Sequence, residues 1–192
     1  MATAFDLANP PKTNCISGCV HIFNKQAVAH RLAVSARNTV YGEKKLVFSG
    51  PRVSAVKAAG ANAVTVEYGG VGMEGGGLKM RGQYGFDVCY AKCDNVTSSN
   101  IVYVGPPSLE HPGGMPAAMS SKAPRGFGWY QANVTAVAGN VLTVSGPATN
   151  PGGPITKVRY GHDDMPSVFY GTGPAVFNAE GLPATPGMYV VA

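Results

Sequence analysis

The sequence predicts a mainly β fold, layered like a β-sandwich and preceded by one amphipathic helix. Three observations carry this reading. Short runs between Leu46 and Tyr160 alternate apolar and polar residues with period two, the signature of strands with one buried face. Glycine (26 residues) and proline (15 residues) separate these runs throughout, as turns do in β-rich chains. Helical spacing of apolar residues occurs clearly in only one place.

Residues 1–23 read as loop, because Pro10-Pro11, Asn14 and Ser17-Gly18 interrupt any regular structure. One helix follows, from Asn24 to Tyr41. Asn24 offers a side-chain oxygen to the first unpaired backbone N–H groups, and Gly42 suits the left-handed stop. Val28, Leu32, Ala36 and Val40 form an apolar stripe, with Lys25, Arg31 and Arg37 elsewhere, and such a stripe calls for a packing partner.

Strands are expected at Leu46–Phe48, Val53–Lys57 and Val64–Tyr68, the last two joined across Gly60-Ala61-Asn62. Phe86–Tyr90 reads as another. Residues 94–128 are rich in loop signals such as Pro106-Pro107 and Pro112-Gly113-Gly114. Gln131–Val137 and Val141–Ser145, separated by Ala138-Gly139-Asn140, make the clearest hairpin. Ile155–Tyr160 is a further strand, and Met188–Val191 ends an otherwise irregular tail.

A chain of 192 residues with 45% apolar and 13% charged residues can bury a sizeable core and is not of disordered composition. The net charge of +5 is scattered, Lys44-Lys45 being the lone basic doublet, so nucleic acid is not expected as a partner. No apolar run is as long as a membrane span, and no membrane partner is expected. The opening residues MATAFDLANPPKTN have neither the basic nor the apolar region of a signal peptide, which alone reads as cytosolic. Against that stand two glycosylation sequons, Asn95-Val96-Thr97 and Asn133-Val134-Thr135, and four cysteines, which point to an exported parent protein.

Several groups bear chemistry. Cys15-x3-Cys19 and Cys89-x3-Cys93 are two similar pairs, open to disulfide bonding, to a tetrathiolate zinc site, or to a life as buried thiols. His162-Asp163-Asp164 is a cluster of the kind that binds a metal or a sugar, but before Pro166 it reads better as an exposed polar turn. His30 and His111 have no neighbours that suggest chemistry. The glycine runs at 69–72 and 75–77 do not open a helix, so they read as turns rather than phosphate loops. No cofactor and no metal is implied.

The segments around the helix carry more. The run Gly18-Cys19-Val20-His21-Ile22 is followed by Asn24-Lys25-Gln26, Arg31-Leu32, Ala36-Arg37, Tyr41-Gly42-Glu43-Lys44 and Phe48-Ser49-Gly50-Pro51. Far downstream come Val158-Arg159-Tyr160, Val176-Phe177-Asn178 and Glu180-Gly181-Leu182-Pro183-Ala184-Thr185-Pro186. In this order they resemble the C-terminal part of the sialate O-acetylesterases, enzymes of the SGNH (GDSL-like) hydrolase class. The resemblance is strong at 18–51 and 155–186 and weak between. Ile22 replaces a family proline, Cys19 stands where some bacterial members have Asp, and His162 stands in place of a tryptophan.

The resemblance implies that residues 1–45 are the C-terminal remnant of an α/β SGNH hydrolase domain, with a loop bearing His21 and the helix left over at 24–41. Residues 46–192 would be the β-rich C-terminal domain, its tail folding back on the hydrolase domain, with Arg159 and Tyr160 as packing residues. His21 would be the catalytic histidine, acting as general base toward a serine hydroxyl that attacks an acetyl ester on a sugar. Asp6 is the candidate carboxylate to orient it. No serine here sits in a nucleophile motif, so the chain alone is expected to be inactive. Its implied partners are an N-terminal hydrolase domain and O-acetylated sialic acid. Animal members carry cysteines near 89–93, which implies a disulfide there and a lysosomal or secreted parent. The alternatives are a non-catalytic β-rich carbohydrate-binding or accessory module and a zinc-stabilised interaction domain.

Overall fold

Helix α1 spans Lys25–Thr39 and begins as its sequence dictates, with the Asn24 side chain accepting the Ala27 N–H at 3.0 Å. Gly42, at φ +78°, turns the chain away after it. This computed structural model describes residues 2–7, 24–70, 72–73, 76–83, 85–90, 93, 103–104, 115–116, 129–161 and 175–192. Within them a 3-10 turn at Phe5–Leu7 precedes the helix. The strands are β1 (Arg52–Ala58), β2 (Ala63–Gly69), β3 (Lys79–Met80), β4 (Phe86–Cys89), β5 (Tyr103–Val104), β6 (Met115–Pro116), β7 (Trp129–Ala138), β8 (Val141–Ser145), β9 (Lys157–Tyr160), β10 (Val176–Phe177) and β11 (Gly187–Val190).

Seven strands form one sheet in the order β1-β2-β8-β7-β4-β9-β11, every neighbouring pair antiparallel. Strand β7 serves two halves. Trp129–Ala132 pair with β4, whereas Asn133–Ala138 pair with β8, with a register shift between Val134 and Ala136. An extra residue of this kind bends a strand and increases its twist, so the sheet folds over on itself here. Pairs β3–β10 and β5–β6 lie outside it.

The two edges of the sheet come together. The Thr185 N–H donates to Pro51 O and the Ala192 N–H to Val56 O, each at 3.0 Å. An odd number of alternating strands leaves its first and last members parallel, so β1 and β11 cannot form an antiparallel ladder. The seam closes at its two ends and opens in the middle, as a groove of about 470 Å³ lined in part by Val53, Lys57, Tyr189 and Val190. Among the described residues the result is a nearly closed barrel, mainly β with one α-helix as the sequence predicts, its layers being a single sheet folded over on itself.

Its interior follows from period two. Val64, Val66 and Tyr68 of β2 and Leu142 and Val144 of β8 are fully buried, joined by Phe86, Val88, Val158 and Tyr160 from the other half. Side chains of this size each contribute roughly 1.5–3 kcal/mol when buried.

Three expectations are corrected. Leu46–Phe48 is not a strand: Leu46 N–H bonds back to Glu43 O at 3.0 Å and Asn38 Nδ2 donates to Leu46 O at 2.9 Å, so this stretch closes the helix exit instead. The apolar stripe of α1 is not its packed face. Leu32 and Val40 are 53% and 74% exposed, the buried helix positions are Ser35 and Asn38, and no α1 residue joins the barrel core. Steps of four residues drift by roughly 40° each around a helix of 3.6 residues per turn, so the stripe winds away from the buried line. Finally, the tail is more regular than expected: Val176–Phe177 pairs with Lys79–Met80, in addition to the foreseen last strand.

Candidate functional site

The two segments that carried the resemblance are packed against each other. Asn178 is fully buried and organises the turn Asn178–Leu182: its backbone N–H bonds to Leu182 O at 3.0 Å, and its Oδ1 accepts the Leu182 N–H at 2.8 Å. Its Nδ2 donates outward to Ser49 O at 3.3 Å. Gly50 lies so close to this turn that a Cβ there would sit 1.9 Å from Pro183 O. Gly72, at φ +96°, closes the stack from the other side, where a Cβ would fall 2.4 Å from Gly50 O. The Arg81 guanidinium lies 4.0 Å from the centre of the Phe177 ring, and Lys79 Nζ donates to Ala179 O at 2.7 Å. Ser49-Gly50-Pro51 and Asn178–Thr185 are thus one interlocked unit, built from residues over a hundred positions apart in the chain.

Toward the helix, Arg31 grips Asp6 with both amino groups, at 2.5 and 2.8 Å, and also donates to Thr3 O at 2.8 Å. The paired side chains are 13% and 7% exposed. A bidentate guanidinium–carboxylate pair fixes orientation as well as charge, so Asp6 is held on α1 by Arg31. His21, the imidazole that Asp6 would orient, lies outside the described residues. At the other end of α1, Arg37 pairs with Glu43 through Nε–Oε1 (2.8 Å) and a second bond at 2.5 Å. That hydrogen bond, before any wider charge effect, lowers the Glu43 carboxyl and raises the Arg37 guanidinium. Lys44 Nζ donates to Asn38 O at 3.0 Å. The Tyr41–Lys44 motif therefore ties off the helix.

A third cluster occupies the outer face of the β7-β4-β9 half. Asp87 stands directly opposite Arg159 across the β4–β9 ladder, and Arg159 Nε donates to Asp87 Oδ2 at 2.9 Å with both side chains at most 3% exposed. Arg159 also stacks on Trp129 of β7, 4.4 Å from ring centre to guanidinium carbon. Arg159 packs, as the resemblance implies, but its partners Asp87 and Trp129 do not follow from the sequence reading. The available signal was a lone carboxylate inside the apolar run Phe86–Cys89, which needs a buried cation. Tyr160 faces the interior instead, where its hydroxyl accepts the Val176 N–H at 3.0 Å. Burial, only partly offset by backbone bonds, pushes that phenol up.

Cys89 and Cys93 are joined as a disulfide with Cα atoms 6.1 Å apart, so neither is a thiolate free to bind zinc in this state. Among the described residues no three His, Cys, Asp or Glu side chains converge as a metal site. His30 is exposed on α1. Cys15, Cys19, His111, His162, Asp163, Asp164 and the Asn95 sequon lie outside the described residues; of the described glycines in 69–72 and 75–77, Gly69 ends β2, Gly70 and Gly77 lie in bends and Gly72 in a turn, with Gly70 at φ +68° and Gly76 at φ +129°.

No protein-family model and no curated protein matches this sequence. Among solved structures, the crystal structure of a novel carbohydrate acetylesterase from Xanthomonas citri is similar, with a TM-score of 0.58 and 21% identity. The match covers 96% of this chain and 31% of that one. At that identity the likeness establishes a shared fold. This chain spans about a third of the length of the protein it resembles.

Proposed function

We propose that this chain is the C-terminal portion of a carbohydrate O-acetylesterase acting on acetylated sialic acid, and that it supplies the histidine to a serine carried by a preceding hydrolase domain. The observation that carries this is the fold likeness to a carbohydrate acetylesterase over 96% of the chain. The interlock of Gly50 with Pro183 adds support, since it gives the two resemblance segments a single physical reason to occur together. In this reading His21 takes the proton from the serine hydroxyl as its oxygen attacks the acetyl carbonyl. The ester C–O bond then breaks, the sugar hydroxyl leaves with that proton, and water releases acetate by the same steps in reverse roles. Asp6, fixed by Arg31, is the proposed orienting carboxylate.

The same reading assigns residues 1–45 to the hydrolase domain and 46–192 to the β-rich domain. It gives the exposed Leu32, Val40 and Tyr41 of the α1 end a cover, the body of the hydrolase domain. The Cys89–Cys93 disulfide favours an oxidising compartment for the parent, lysosomal or secreted. Acetate release from O-acetylated sialic acid tests the proposal. The chain of 192 residues alone should give none above background, and the chain joined to a serine-bearing domain should give turnover. Hydrolysis by the short chain would place the nucleophile within it. Binding of the acetylated sugar without hydrolysis by the joined chain would favour a carbohydrate-binding accessory module.

A further inference from the structure

The sequon Asn133-Val134-Thr135 falls on β7 where the strand leaves β4 for β8, and the fold presents it outward. Ala132 and Val134 point into the core, so Asn133 and Thr135 stand on the opposite face, and both are exposed. The neighbours on that face are small and hydroxylated. Asn133 lies opposite Ser145 across the ladder, and Thr135 Oγ1 and Ser145 Oγ share a hydrogen bond of 2.9 Å. Thr65 and Thr143 continue the same surface on β2 and β8. Among the described residues no large side chain of this face overhangs Asn133, which is exposed. The disulfide at Cys89–Cys93 independently indicates the compartment in which such a site would be used.

We propose that Asn133 carries an N-linked glycan. The modification joins the Asn133 side-chain nitrogen to the anomeric carbon of an N-acetylglucosamine held on a lipid diphosphate. A C–N bond forms and the C–O bond to the diphosphate breaks. The lipid diphosphate leaves with the bonding electrons, and the amide proton passes to a base of the transferase. The transfer precedes completion of the β7–β8 ladder, so the strand conformation of the finished fold is no obstacle; what the fold must supply is room, and the hydroxyl-lined face supplies it. A glycan here also marks the β1-β2-β8-β7 face as one that no other domain covers. The inference rests on the proposed compartment and is independent of the esterase chemistry.

The test uses the protein purified from its own cells. Peptide-N-glycosidase treatment in heavy-oxygen water should return the peptide containing Asn133 with that residue converted to labelled Asp. Asn133→Gln should abolish the label and lower the mass by one glycan. Thr135→Ser, which keeps both the sequon and a hydroxyl opposite Ser145, should retain it. An unlabelled, unmodified Asn133 in the purified protein overturns the proposal, whatever its acetylesterase activity. So does a label that survives Asn133→Gln at the same peptide.

Discussion

The two halves of the folded sheet share an interior but differ in what lies outside it. On β1, β2, β8 and the far end of β7, the outward positions are Lys57, Thr65, Thr143, Ser145, Asn133 and Thr135, all partly or well exposed. On β4, β9 and the near end of β7, the outward positions Asp87, Cys89, Trp129 and Arg159 are buried almost completely, and only Gln131 and Lys157 at the margins are half-buried. The first half is an ordinary one-sided sheet, held by the hydrophobic effect at its inner face. The second is largely buried on both faces, so its outer layer needs internal partners for its charges: Asp87 and Arg159 pair with each other and Arg159 stacks on Trp129, while the Cys89–Cys93 disulfide ties the same layer covalently. Identical strand pairing thus supports two different energetic regimes.

Substitutions should separate these regimes sharply. Arg159→Met removes the guanidinium that pairs with the buried Asp87 carboxylate and should destabilise the fold by about 3–5 kcal/mol. Asp87→Leu combined with Arg159→Met should recover much of that loss, since a buried pair replaced by apolar residues is often nearly neutral. Lys57→Gln on the solvated half should stay within about 0.5 kcal/mol. Chemical denaturation of the set checks this, and a Lys57 effect equal to that of Arg159 would erase the contrast.

The seam between the halves is the next point of failure. Gly50→Ala puts a methyl group onto the Pro183 carbonyl, an overlap with backbone rather than with a yielding side chain. Overpacking of this kind costs roughly 1–3 kcal/mol or more, and it should release the Asn178–Thr185 turn first. Hydrogen exchange at Leu182 and Thr185 should rise before that of β2; uniform protection in the variant would contradict the interlock.

Alkali should act mainly through the shared interior. Burial raises the phenols of Tyr68, Tyr160 and Tyr189 above their ordinary value and pushes Tyr90 up to about 12. A phenol whose folded value lies above its unfolded one binds its proton more tightly when folded. The associated stability is therefore complete below an unfolded value of about 10 and is lost as pH rises through the folded values. For Tyr90 that window runs from about 10 to about 12. Tyrosinate absorbance should lag behind that of free tyrosine and then appear together with loss of β circular dichroism. Smooth titration with the sheet intact would count against the burial argument.

The smallest expected effect separates two interior tyrosines. Among the described residues the buried Tyr68 hydroxyl has no hydrogen-bond partner, whereas that of Tyr160 accepts the Val176 N–H. Tyr68→Phe should be neutral or stabilising by about 1 kcal/mol, and Tyr160→Phe destabilising by a similar amount. Thermal melts that ranked them the other way would show that Tyr68 has a partner.

What could be read in the sequence was what repeats locally. Period two located β2 and β8 to within a residue at each end, and the Asn24 cap and Gly42 stop placed the helix. What could not be read was set by distant partners. Leu46–Phe48 has strand-forming residues, yet Asn38 captures the Leu46 carbonyl and the turn wins. The Asp87–Arg159 pairing depends on a register between neighbouring strands that lie 72 residues apart in the chain, which no local pattern encodes. The seam is similar, because Gly50 and Pro183 look like ordinary turn residues until they meet. Of the proposed catalytic pair, the structure describes Asp6 in the grip of Arg31, an ion pair between residues 25 apart that spacing alone did not suggest.

The proposal most in need of a direct test is that His21 serves as the base of an esterase. The direct measurement is acetate release from O-acetylated sialic acid by the chain joined to the proposed serine-bearing domain, compared with His21→Ala in the same protein. The expected loss is about 10³-fold or more in kcat with the fold intact by circular dichroism, as removal of a triad base removes activation of the serine. Full activity in His21→Ala would contradict the assignment.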